Sequence, residues 1–190
     1  MPPRLIPADV VLVRGTSAVS SAIRWATRRP GEAPTVFNHA GLMTDPLHIT
    51  EALARVRTHP FADLTDDLEV WRHRRLSASE RVDIAAKALE YRNRPYGALK
   101  ILGAHLPDAL LNKAAAILPE RFRPSRELFV FRRLACLDAL PICVWIVTMP
   151  YDRAAHVRFG GVDPRFADPD HLHDHVLTSP MWELVWENKG

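Results

Sequence analysis

The chain has 190 residues, of which 47% are hydrophobic and 25% charged, and carries a formal charge of +3. That length fits one domain covering residues 1–190, which buries roughly 70% of its unfolded surface and needs neither disulfide nor metal for stability. The charge excess is small, and no basic run is interleaved with stacking aromatics, so the composition points away from a nucleic-acid partner and towards solvated basic faces.

Asp9 to Arg14 encloses the run Val10-Val11-Leu12-Val13 and reads as a buried strand. Ser17 to Arg29 reads as a helix with Ser17 as N-cap and Pro30-Gly31 as its stop. Thr35 to Met43 and His48 to Leu53 are strand-like and meet through the turn dipeptide Asp45-Pro46. Leu68 to His73 is a further strand. Ser77 to Tyr91 reads as a helix: Ser77 precedes Glu80 at capping-box spacing, and Val82, Ala85, Ala86 and Leu89 recur at helical intervals. Asn93-Arg94-Pro95 ends it. Tyr96 to Leu118 follows as one or two helices broken near Pro107, with too many polar residues to span a bilayer. Asp170 to Leu177 reads as a short helix and Trp182 to Trp186 as a final strand. Strands, then helices, then a strand make an α+β order, with helices packed on a mainly antiparallel sheet.

Three residues invite chemistry. A hairpin centred on Asp45 would set His39 directly opposite Glu51, close enough for the carboxylate to accept the imidazole N–H and fix its tautomer. The same pairing also describes an ordinary surface His–Glu contact. Pro141 suits a first helical position, which would put Cys143 in a first turn, where free amides and the helix dipole favour a thiolate. Against this, Cys143-Val-Trp-Ile-Val-Thr148 is rich in β-formers and Pro150 should cut a helix short, so the segment also reads as a strand. Cys136 is the rival nucleophile. With two cysteines and no signal-peptide pattern after Met1, a reducing, cytoplasmic setting is expected.

The segments Ala8-Asp9-Val-Val-Leu-Val, Asn38-His39-Ala-Gly-Leu, Ile49-Thr-Glu51-Ala, Pro95-Tyr96-Gly97 and Pro141-Ile-Cys143, in this order, resemble the circularly permuted branch of the NlpC-type papain-like superfamily. They look like its YiiX-like group, related to lecithin:retinol acyltransferase, from about Ala8 to Val176. The resemblance implies a permuted papain-like fold. It further implies Cys143 as nucleophile, His39 as base, Glu51 as the polar third member and Tyr96 at an aromatic position beside them. Val144 stands where the group commonly has Ser, and Pro150 interrupts its helix. The implied activity is a thiol hydrolase or acyltransferase acting on a peptide amide, a cell-wall peptide or a lipid acyl group, without a cofactor. It leaves room for peripheral membrane contact.

Two other classes of function stay open. One is a non-catalytic binding module on the same fold. The other is a metal-dependent hydrolase built on His171, His173 and His175 beside Asp170 and Asp174, although a polar surface helix explains that cluster as well.

Overall fold

The computed structural model describes residues 4–15, 36–95, 142–165 and 167–189. The readings made for Ser17 to Arg29 and Tyr96 to Leu118, and those made for Cys136 and Pro141, lie outside them.

The strands are β1 (Val10–Arg14), β2 (His39–Met43), β3 (His48–Ala52), β4 (Val56–Pro60), β5 (Asp67–His73) and β6 (Trp182–Asn188). They form one sheet in the order β4-β3-β2-β1-β5-β6, antiparallel at every pairing. The helices are α1 (Ala78–Leu89), α2 (Trp145–Ala155) and α3 (Pro169–Thr178). The fold is α+β, with helices packed on an antiparallel sheet.

Apolar side chains cover both faces of the sheet. On one, Val10, Leu12, Ala40, Leu42 and Ala52 join Ile84 and Ala88 of α1 and Trp145 and Ile146 of α2 in the main core. On the other, Val11, Val13, Met43, Ile49, Leu68 and Val70 form a second cluster. This double burial is why β1 reads as a continuous apolar run rather than an alternating one.

Helix α1 starts as its capping box predicts: Ser77 Oγ accepts the Glu80 N–H at 3.3 Å, and Glu80 Oε2 accepts the Ser77 N–H at 2.8 Å. Its buried face differs from the expected one. Arg81, Ile84, Ala85 and Ala88 face inwards, whereas Val82 and Leu89 are exposed. The phase is set by Arg81, whose guanidinium donates to the His73 carbonyl and lies 3.9 Å from the buried Asp9. Asp9 in turn holds Arg72 at 2.6 and 2.8 Å. Burying that charged group requires its partners in place, so the ion cluster dictates which side of α1 turns inwards.

Helix α2 does not stop at Pro150 but runs on to Ala155, where His156 closes it in the left-handed conformation at φ 53°. Trp145 to Tyr151 are buried without a break. A helix enclosed on all sides needs no polar face, so its sequence lacks helical periodicity and looks strand-like. Tyr151 anchors it by donating its hydroxyl to the Ala8 carbonyl at the foot of β1.

Candidate active site

The site grows from the β2–β3 hairpin. Asp45 organises the turn: its Oδ1 accepts the N–H groups of Leu47 and His48 at 2.8 and 3.0 Å. The loop is centred on Pro46 rather than on Asp45, so that Gly41 pairs with Glu51, Leu42 with Thr50 and Met43 with Ile49. The register is therefore displaced by two residues from the expected one. His39 is not opposite Glu51 but diagonal to it, and the long glutamate side chain spans the diagonal. His39 Nε2 lies 2.7 Å from Glu51 Oε2. Asn38, just before β2, fixes the strand's entry by accepting the Gly15 N–H at 2.8 Å.

Cys143 meets the same imidazole from the helical side. It lies in a turn immediately ahead of α2: the Cys143 carbonyl accepts the Ile146 N–H at 3.2 Å, and the first helical residue is Trp145. Its thiol is in hydrogen-bond contact with the His39 ring, and the N–H groups of Ala40 and Val144 also donate to the sulfur. With Nε2 engaged by Glu51, Nδ1 is the nitrogen left for the thiol. Cys143, His39 and Glu51 thus come together in one line of contacts. Tyr96 lies outside the described residues.

The electrostatics follow from the contacts. Burial alone pushes the Cys143 thiol up, but the bond to His39, the imidazolium charge and the two amides outweigh it and hold the thiol below its ordinary value. Burial alone lowers His39, yet its bonds to Cys143 and Glu51 raise it to about 10. Burial raises Glu51, whereas the bond and charge of His39 and the nearby His59 bring it down to about 2. Each shift favours charge, and the arrangement fits a thiolate–imidazolium pair backed by a carboxylate.

Two further partners of Glu51 were not anticipated from the sequence. Its Oε1 accepts from His59 Nε2 at 2.9 Å and from Arg57 Nη2 at 3.2 Å. Both come from β4, which pairs Arg57 with Glu51 and His59 with Ile49. The sequence signal was there: Val56 and Thr58 alternate with Arg57 and His59 only four residues after β3, a period-two pattern. A cleft of about 470 Å³ opens on this side, lined by His39, Glu51, Arg57, His59, Asp63 and Leu64 among others.

The histidines of α3 do not assemble into a metal centre. His173 stacks on Phe37 at 4.7 Å, His175 lies against Phe159 at 5.7 Å, and His171 packs beside Gly160. Among the described residues no group of three or more His, Cys, Asp or Glu could hold a metal ion. Among them, too, no helix is long and apolar enough to cross a membrane.

No protein-family model matches the chain, and no curated protein matches it. A solved structure does: the crystal structure of metalloprotein YiiX from Escherichia coli O157:H7, of the DUF1105 group, superposes with a TM-score of 0.61. The match covers 97% of this chain and 98% of that one at 16% sequence identity. The chain has the YiiX-like α+β fold that the sequence resemblance implied.

Proposed function

We propose that the protein is a thiol hydrolase or acyltransferase in which Cys143 is the nucleophile, His39 the general base and acid, and Glu51 the residue that orients His39. One observation carries the reading: a single imidazole contacts the Cys143 thiol and also the buried Glu51 carboxylate, at 2.7 Å. The thiolate attacks the carbonyl carbon of an amide or ester, forming a C–S bond and a tetrahedral oxyanion. Collapse breaks the C–N or C–O bond, and the imidazolium of His39 gives its proton to the leaving amine or alcohol. His39 then takes a proton from water or another acceptor, which attacks the thioester and restores the thiolate.

YiiX is described as a metalloprotein. The residues here do not fit a resident metal, because among the described residues no group of three or more His, Cys, Asp or Glu is placed to hold one.

A binding module that forms no acyl-enzyme is the second reading, and the burial of Cys143, 3% exposed, favours it. Intact-mass spectrometry after incubation with p-nitrophenyl esters of short and long acyl chains separates the two. A thiol enzyme gains one acyl group on Cys143, lost in Cys143→Ala; a binding module gains none at any chain length.

A further inference from the structure

Glu51 can orient His39 only if its own carboxylate is held. A carboxylate bonded through one oxygen is free to swing about its side-chain torsions, and its second oxygen decides how firmly it stays. Here Oε1 is held by two groups of unequal quality. Arg57 is 54% exposed and 3.2 Å away, a pairing that water screens. His59 is 13% exposed and 2.9 Å away. Its ring is itself fixed, because Nδ1 lies 3.1 Å from the Pro60 carbonyl at the end of the same strand.

We propose that His59 is a positioning residue, clamping Glu51 by Oε1 so that Oε2 remains aligned on His39 and the line of contacts runs Cys143–His39–Glu51–His59. The role rests on the thiol-enzyme reading given above, and it extends the site to a fourth residue on the edge strand. The chemistry of the ring supports it. Its two nitrogens lie against the Glu51 carboxylate at 2.9 Å and the Pro60 carbonyl at 3.1 Å, so the ring is held at both ends and cannot turn away from Oε1. The other charged groups facing it among the described residues are Arg57 on its own strand, Asp63, whose Oδ2 is 3.8 Å from Nδ1, and Asp66 across the cleft.

The test needs no substrate. Iodoacetamide alkylation of Cys143, followed by peptide mass spectrometry across pH, reads the thiolate that the imidazolium stabilises. His59→Leu removes the clamp and should slow alkylation near neutral pH roughly tenfold, the worth of one hydrogen bond to a charged group, and move the midpoint upward. His59→Gln keeps an N–H for Oε1 and should stay within about threefold of the wild type. A folded His59→Leu with the wild-type profile would overturn the clamp while leaving the thiolate intact. A wild type that reacts like an ordinary thiol would overturn the thiol-enzyme reading itself. Should His59→Leu not fold, the downfield proton resonance of His39 Nε2–H decides. It should persist in His59→Gln and vanish in His59→Ala; an unchanged signal in His59→Ala contradicts the clamp.

Discussion

At Glu51 one carboxylate serves three donors, and the consequences of changing it can be worked out atom by atom. In Glu51→Gln the amide oxygen can still accept the His39 N–H, but the negative charge that favours imidazolium is gone. The amide nitrogen would then face the donors of His59 and Arg57, an unfavourable meeting. The variant should lose activity, but less than the two variants that remove the thiol or the imidazole, because one bond to His39 survives. Cys143→Ala and His39→Ala should lose nearly all of it. Steady-state kinetics on any ester or amide that is turned over checks the order, and equal losses in all three would give Glu51 a chemical role of its own. Arg57→Ala should cost at most about threefold, because its half-exposed pairing with Glu51 is screened.

Among the elements, the β2–β3 hairpin is the one whose register decides the site. Gly41 stands directly opposite Glu51 and next to His39 on the same face of β2. A Cβ at Gly41 would lie 2.6 Å from Ile49 Cδ1 and 3.3 Å from the Thr50 carbonyl oxygen. Ile49 is fully buried, so making room means shifting its side chain within the second apolar cluster. Gly41→Ala should therefore destabilise the fold by about 1–3 kcal/mol, the usual cost of overpacking. Urea unfolding would read the loss, and an unchanged midpoint would mean that the hairpin opens more easily than its packing indicates. Ser77→Ala should lose about 1 kcal/mol through the broken capping box of α1.

The same elements show what can be read in a sequence and what cannot. Local chemistry was legible: Ser77 and Glu80 cap α1, and Asp45 makes the turn. Non-local packing was not. Nothing near α1 says that Arg81 will be drawn inwards by Asp9, some seventy positions earlier, so its apolar face was misphased. The enclosure of α2 erased the polar stripe that distinguishes a helix from a strand. At the hairpin, Asp45 marks the turn but not its centre, which falls on Pro46, so His39 and Glu51 meet diagonally rather than directly. Strand β4, short and ending at Pro60, went unread, and with it went His59 and Arg57.

For the molecule as a whole, the buried titratable groups set a stability profile. Between pH 6.5 and 9.0, the ordinary values of His39 and Cys143, the unfolded chain carries one proton on this pair, on the thiol. The folded pair also carries one, on the imidazole. Stability should thus be flat with pH in that range as far as the pair is concerned. Below 6.5 the unfolded histidine gains a proton that the folded pair has no counterpart for. His73 and His175 act in the same direction, because burial lowers both in the folded state, so their contribution is present above 6.5 and lost as the pH falls. Glu51, lowered to about 2, adds a loss as the pH drops through 4.5. Above 9.0 the unfolded thiol ionises while folded His39 keeps its proton to about 10, and stability declines again. Thermal unfolding at fixed ionic strength should show a plateau from about pH 7 to 9 with a fall on either side. A melting temperature still rising from pH 7 to 9 would mean that the folded protein holds fewer protons than the unfolded chain in that range.

The central claim is that Cys143 is a thiolate at neutral pH because His39 is its counter-ion. Thiolates absorb near 240 nm and thiols do not, so the absorbance difference between the wild type and Cys143→Ala, followed against pH, reports this one group. The account predicts a step well below 9.0, the ordinary value for Cys143, that moves upward in His39→Gln. A step at or above 9.0 in the wild type, unmoved by His39→Gln, would contradict it.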